Sequence, residues 1–178
     1  MTKDIVILRY GHRVVRDYRV TSHCCLVARA LGASKIIIQG DEDESIQNSV
    51  NDIVKRWGGD FKVEIAESWK GVIETYKAKK YLIVHATMYG SHIQKIESKL
   101  RKSDKILLII GSQKVESEVY DLSDYNVSVT NQPHSEIAAL AVILDRLFEG
   151  KELDKKFRNA KIKITPQAKG KKVAKKTN

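Results

Sequence analysis

Two cysteines, adjacent at Cys24 and Cys25, are all that the 178 residues contain. An adjacent pair supplies neither a disulfide framework nor a four-ligand zinc site. No apolar run approaches the ~18–20 residues of a membrane span. The chain opens on Asp4-Ile-Val-Ile-Leu8 with no basic segment ahead of a long apolar one, so secretion is not expected. No G-x-G-x-x-G follows this first apolar run, and Gly111-Ser112-Gln113-Lys114 lacks the phosphate-cradling spacing of a P-loop. His12, His23, His85, His92 and His134 form no i, i+4 pair with a nearby carboxylate, so no metal is expected. What remains is the expectation of a globular, cytoplasmic protein without membrane or metal.

Hydrophobic residues make up 42 % of the chain, enough for one substantial core. The formal charge is +10, and its placement says more than its size. Residues 151–178 hold eleven Lys and Arg against Glu152 and Asp154, a balance of +9 that leaves +1 for residues 1–150. A near-neutral body with a basic appendix reads as a binder of polyanions, nucleic acid first. A solubilising tail is the plainer alternative.

Short β-branched runs alternate with longer helical stretches. Strands are expected at 5–10, 35–39, 61–65, 81–86, 105–110 and 125–130, nearly continuously apolar as in a parallel sheet buried on both faces. Helices are expected at 22–31, 44–57, 69–78, 91–102, 116–123 and 134–149. Thr21, Ser68 and Gly90-Ser91 stand where N-caps belong, and Gly32 and Gly58-Gly59 where helices stop. The pattern predicts an α/β fold, a parallel sheet with helices on both faces. Residues 1–150 form its body. Lys-Ile alternation at 160–165 and a return at 170–174 predict a short basic C-terminal β-hairpin within an extension at 151–174, and 175–178 read as a disordered tail. The helix at 134–149 is apolar for eight residues, Ile137 to Leu144, and reads as buried on every side. Either a central core or a subunit interface would account for it, with Leu140 and Leu144 as positions where a charge would disrupt the contact.

In open parallel sheets, ligands bind beyond the carboxyl ends of strands. Three strand exits carry polar, Gly- or Pro-bearing loops: His85-Ala-Thr-Met-Tyr-Gly90, Gly111-Ser-Gln-Lys-Val115 and Asn131-Gln-Pro-His-Ser-Glu136. Each has a simpler reading. Gly111 fits a tight turn, Pro133 the first turn of the last helix with Asn131 or Gln132 capping it, and His85 a satisfied core histidine. The exit of the first strand, 11–19, holds Arg13, Arg16 and Arg19. It reads as a phosphate-binding loop or as an ordinary solvated one.

Taken together, four ordered motifs resemble the archaeal tRNA ribose 2′-O-methyltransferases that act on cytidine 56 of the T-loop. They are Leu8-Arg9-x-Gly11-His12-Arg13-x-x-Arg16-Asp17-x-Arg19-Val20-Thr21-x-His23, His85-x-Thr87-Met88-Tyr89-Gly90, Ile109-Ile110-Gly111-x-x-Lys114-Val115 and Asn131-Gln132-Pro133-His134-Ser135-Glu136. The resemblance runs from about residue 4 to 173. It implies a SPOUT-type α/β fold with a C-terminal deep trefoil knot, which no sequence pattern could reveal. It also implies a homodimer, tRNA as partner, and S-adenosylmethionine bound at the knot. The cofactor would lie against Ala86, against Gly111, Ser112, Gln113, Lys114 and Val115, and against Val129 and Thr130. Asn131, Gln132, Pro133, His134, Ser135 and Glu136 would complete the pocket.

The chain departs from the wider class in one respect. Its relatives carry an Asn followed six residues later by an Arg in the first motif; counting back from Gly32, those positions fall on Val20 and Leu26. The catalytic role is therefore expected to move to Arg19, with Arg16 and His23 assisting and Arg29 as a further candidate. An arginine is a poor base, so Arg19 is expected to pin a phosphate or polarise the ribose hydroxyl, with His23 or a phosphate oxygen receiving the proton. Lys161, Lys163, Lys169, Lys171 and Lys172, with Arg13, are expected to hold RNA phosphates. A non-catalytic RNA-binding module explains the basic tail equally well, but not the three polar strand exits.

Overall fold

Alternate residues of the first strand face two separate cores. Ile5 and Ile7 pack with one cluster, Val6 and Leu8 with the other, and all four are buried. This is the two-residue period of a strand covered on both sides. The computed structural model describes residues 3–111 and 115–175. Among them, β1 (Asp4–His12), β2 (Lys35–Gly40), β3 (Lys62–Ala66), β4 (Leu82–His92), β5 (Lys105–Gly111) and β6 (Tyr125–Ser128) form one sheet in the order β3-β2-β1-β5-β4-β6. Every pairing in it is parallel. The helices between them are α1 (Val14–Ala30), α2 (Glu44–Trp57), α3 (Trp69–Ala78), α4 (Ile93–Leu100), α5 (Ser117–Leu122) and α6 (Glu136–Phe148). Cys24, Cys25 and Ala28 of α1, Ile46 of α2, Leu100 of α4 and Leu140 of α6 fill the first core. Trp69 and Ile73 of α3 and Val119 of α5 fill the second. No described helix is long and apolar enough to cross a membrane.

The six strands fall where the sequence predicts them, with shifted ends. The larger correction concerns 11–19, which is not a loop: β1 runs on to His12 and α1 begins at Val14. Thr21 is consequently no N-cap. It sits buried inside α1, 2.8 Å from Nδ1 of the buried His12, whose Nε2 lies 3.5 Å from Asp43. The cap comes from two carboxylates instead. Asp17 accepts from the backbone N–H of Arg13 (3.2 Å), and Asp41, remote in sequence, from that of Val14 (3.1 Å). A Cβ at Gly40 would stand 2.1 Å from the carbonyl oxygen of His12, so only glycine lets β2 approach β1 this closely.

Ser68 caps α3 through the N–H of Gly71, as its position predicts. Gly90-Ser91 does not cap α4, because β4 continues through both to His92. The last helix begins at Glu136 with Ser135 as its cap (3.2 Å to the N–H of Ile137), so Asn131, Gln132 and Pro133 all lie before it. Nor is α6 buried all round. Leu140 and Leu144 are sealed in the molecule's own core, whereas Ala138 and Val142 are exposed.

Beyond α6, one 3₁₀ turn (Lys151–Asp154) leads to a segment fastened on α2. The N–H of Gly59 donates to the carbonyl of Arg158 (2.8 Å), and that of Lys161 to Arg56 (3.0 Å). A Cβ at Gly58 would lie 2.3 Å from the Arg158 oxygen. The antiparallel strands β7 (Ile162–Thr165) and β8 (Lys172–Lys175) then project outward, with β8 exposed throughout. Lys175, read as tail, closes β8; residues 176–178 lie outside the described residues.

Candidate active site

A cleft of about 830 Å³ opens where β4, β5 and β6 end. One wall is unusual. Val127 of β6 pairs with Ala86 and, after a break in register, again with Ser91. Residues 87–90 bulge out between these contacts, and Thr87, Met88 and Tyr89 line the cleft. Gly90 returns the chain so tightly that a Cβ there would stand 2.4 Å from the backbone of Asn126 and Val127.

Of the cofactor-pocket residues expected from sequence, Ala86, Gly111, Val115, Val129, Pro133, His134 and Glu136 line this cleft. Thr130, Asn131, Gln132 and Ser135 do not line it, but they shape the loop that does. Asn131 donates to the carbonyl of Met88 (2.5 Å), the Thr130 hydroxyl accepts from the N–H of Gln132 (3.3 Å), and His134 Nδ1 donates to the Gln132 carbonyl (2.7 Å). Ser112, Gln113 and Lys114 lie outside the described residues.

Two groups give the cleft its chemistry. Glu136, first residue of α6, takes an Arg9 N–H at 3.2 Å on one oxygen; its other oxygen is buried and has no partner among the described residues. Burial pushes this carboxyl above its ordinary range, and the Arg9 charge pulls it back. Arg9 itself is wholly buried and also donates to the carbonyl of Tyr10 (2.7 Å). A carboxylate on the lining, set in a wall of Ala86, Ile110, Val127 and Val129, suits a ligand that is partly apolar and carries positive charge.

His85 is the second group. Its Nδ1 lies 2.9 Å from Oδ1 of Asn126, and Asn126 is oriented by donating its own amide to the carbonyl of Tyr120 (3.1 Å). Nδ1 is therefore the donor and Nε2 the acceptor. Burial lowers the His85 pKa, which favours the neutral ring. It is at once a satisfied core histidine and part of the cleft wall, with Tyr120 edge-on at 4.7 Å. Tyr120, Ser117 and Asp121 of α5 also line the cleft and were not singled out from sequence, because no motif marks a helix that follows the middle loop. In the sequence the signal for Arg9 is an arginine near the end of an apolar strand.

The expected catalytic residues lie elsewhere. Arg16, Arg19 and His23 recur at helical spacing on an exposed stripe of α1 that continues through Leu26 and Ala30, and none lines the cleft of its own chain. Arg13 is held by Asp17, Nε to Oδ2 at 3.0 Å. Burial alone would raise the Asp17 pKa, but Arg13 outweighs it and holds the carboxyl below its ordinary value. Lys163, Lys169, Lys171 and Lys172 stand exposed on the hairpin, and Lys161 at its base. Burial pushes the thiols of Cys24 and Cys25 up to about 12, which removes both as nucleophiles. No cluster of three or more metal-binding side chains occurs among the described residues.

Comparison with known proteins agrees with this geometry. Residues 57–174 match the family described as tRNA ribose 2′-O-methyltransferase, aTrm56. The tRNA (cytidine(56)-2′-O)-methyltransferase of Pyrococcus horikoshii is 55 % identical over 95 % of this chain and 84 % of its own length. That of Methanopyrus kandleri is 52 % identical over 94 % of each. Among solved structures, the A. aeolicus TrmH/SpoU tRNA modifying enzyme superposes with a TM-score of 0.61 at 13 % identity, covering 85 % of this chain and 79 % of that one. The SpoU methyltransferase AviRb from Streptomyces viridochromogenes, in complex with AdoMet, gives 0.59 at 16 % identity, covering 83 % and 58 %. At such identities these two speak for the fold alone, a six-stranded parallel sheet flanked by helices. The relatives at more than half identity speak for descent, and on them the chain belongs to the aTrm56 family of tRNA ribose 2′-O-methyltransferases.

Proposed function

We propose that this protein transfers the methyl group of S-adenosylmethionine to the ribose 2′-hydroxyl of cytidine 56 in the T-loop of tRNA. Family membership carries the reading, and the cleft supports it on independent grounds. The carboxylate of Glu136 on the cleft lining suits a cationic ligand, and the apolar wall suits the rest of the molecule. The cofactor supplies an activated methyl group, so the chain needs no metal of its own. Ala86, Gly111, Val115, Val129, Pro133, His134 and Glu136 would hold it, with Ser112, Gln113 and Lys114 closing the middle loop. The strand exits threaded by this segment would form the trefoil knot of the class. Residues 1–150 act as the catalytic unit and 151–174 as an RNA-holding extension, in the cytoplasm where tRNA is processed.

The chain's work is alignment and proton handling. Holding hydroxyl oxygen, methyl carbon and sulfur in line supplies much of the rate. With the cofactor bound, the oxygen–carbon bond would form as the carbon–sulfur bond breaks, and the chain would have to provide for the departing hydroxyl proton. Arg19 pins the neighbouring phosphate or polarises the hydroxyl, Arg16 assists, and His23 or a phosphate oxygen accepts the proton. Because this stripe lies off the cleft of its own chain, the reading requires a homodimer. Pairing through α1 and α6, where Leu26, Ala138 and Val142 are exposed, would bring the stripe of one subunit to the cleft of its partner. The decisive experiment incubates an unmodified tRNA transcript with protein and S-adenosylmethionine and maps methyl groups by mass spectrometry. One ribose methyl at cytidine 56 is expected. Methylation of a base or another nucleotide overturns the reading, and no methylation at all points to the RNA-binding module.

A further inference from the structure

A second, smaller pocket, about 290 Å³, lies at the edge of the sheet where the strands begin, opposite the cleft. Arg29, near the end of α1, is on its lining. The segment after the 3₁₀ turn, Lys155, Lys156, Phe157 and Arg158, forms one side. Arg29 is only 8 % exposed. It donates one N–H to the carbonyl of Gly58 (2.6 Å) and lies over the ring of Phe157, 4.5 Å from its centre. Its Nε is buried with no partner among the described residues. The Lys155 ammonium turns inward to the carbonyl of Gly32 (3.3 Å), 5.7 Å from the same ring.

Among the described residues, the positive charge here has no counter-charge. None of Arg29, Lys155, Lys156 and Arg158 makes an ion pair among the described residues. The one acid on the lining, Asp60, is exposed. Lys3, also on the lining, spends its ammonium on the carbonyls of Arg101 and Ser103. Burial lowers the pKa of both Arg29 and Lys155, and the Arg29 charge lowers that of Lys155 further. Arg29 is a buried cation without a counter-charge, which is costly, and an anion seated between it and Lys155 offsets that cost. The pocket falls below the ~300–1,000 Å³ typical of small-molecule sites, so it suits a single anionic group rather than a nucleotide.

We propose that this pocket holds one backbone phosphate of the tRNA, with Arg29 and Lys155 as its donors. The inference rests on the tRNA reading above and extends the RNA surface beyond the hairpin. RNA rather than a free ion is favoured because Lys156 and Arg158 continue the pocket's charge along the chain toward Lys161 and Lys163. A guanidinium already fixed by Gly58 and Phe157 also loses little freedom on gripping a phosphate.

Lys155→Gln tests it. Lys155 is exposed as a residue, so the variant keeps the fold, which a melting curve verifies. Inorganic phosphate should raise the Tm of the wild type above that in chloride of equal ionic strength, and the variant should lose the rise. The variant should also bind tRNA about three- to tenfold more weakly, and its log–log salt slope should be shallower by about 0.7–0.9, one phosphate contact. Unchanged tRNA affinity and slope overturn the inference. So does a Lys155-dependent phosphate effect without a change in slope, which would mark a site for a free anion. Methyl transfer by the wild type is read separately: its absence sinks the tRNA reading, whereas its presence with an unaltered slope in Lys155→Gln sinks only the pocket.

Discussion

Arg9 and Glu136, 127 residues apart in sequence, meet at 3.2 Å beneath the cleft. The contact ties the end of β1 to the first turn of α6 and fixes the only acid on this wall of the cleft that α6 provides. Arg9 has no access to solvent, so the two partners are not equivalent.

Removing one partner of a buried ion pair strands the other. Arg9→Met should cost about 3–5 kcal/mol of stability in chemical denaturation. Glu136→Gln keeps the shape but removes the charge facing the ligand. Its affinity for S-adenosylmethionine should fall about tenfold, ~1.4 kcal/mol, by calorimetry. Unchanged affinity in a folded Glu136→Gln protein would place the cationic end of the cofactor elsewhere.

On the exposed stripe of α1, Arg19→Ala should lower turnover by two orders of magnitude or more while cofactor affinity stays constant. Single-turnover kinetics and calorimetry on one preparation separate the two quantities. Near-normal turnover would shift the role to Arg16.

Charge on α1 and α6 discriminates core from interface. Leu144→Asp buries a charge in the molecule's own core and should unfold the chain. Leu26→Asp and Val142→Asp lie on exposed positions and should leave a folded monomer without activity. Sedimentation of a wild-type monomer at micromolar concentration would remove the dimer from the mechanism.

The place to cut the extension follows from its docking. Ending the chain after Asp154 would remove Phe157 from over Arg29 and take away the buried Ala160, whereas ending it after Ala160 keeps both and gives up only the Lys161–Arg56 bond with the projecting strands. The shorter cut deletes seven lysines. It should weaken tRNA binding and flatten its salt dependence, and leave the methylated nucleotide unchanged. A shift in the methylated position would mean that the hairpin takes part in choosing it.

His85 should leave a signature in stability against pH. Its folded pKa lies below the ordinary 6.5 because burial disfavours the charged ring. The unfolded chain therefore binds the proton first, so the stabilising contribution is full above pH 6.5 and is lost as the pH falls through and below that value. His85→Leu should flatten this fall in denaturation midpoints measured from pH 7 to 5. An identical profile in the variant would assign the fall to another group.

Much of the sheet was legible because a strand buried on both faces writes itself as an unbroken apolar run, as in Ile106 to Ile110. The start of α1 was not. Its caps are Asp17, from within the helix, and Asp41, brought in from beyond β2, while Thr21, the hydroxyl that reads as a cap, is committed to His12. For the same reason the pocket loops were legible as polar exits, while the contributions of Arg9 and of α5 depend on contacts no local pattern encodes. Eight apolar residues in α6 could not say which side faces solvent; Ala138 and Val142 do so only once α1 is packed beside them.

The bulge at 87–90 is anchored at both ends by the same residue of β6, Val127. A loop spliced into a strand in this way can change its side chains without slipping the register of the sheet behind it. Thr87, Met88 and Tyr89 are thus free to vary independently of the core, while Gly90 cannot, since it closes the splice against Asn126. Altered preference for what enters the cleft is most readily sought by randomising those three positions and keeping the glycine.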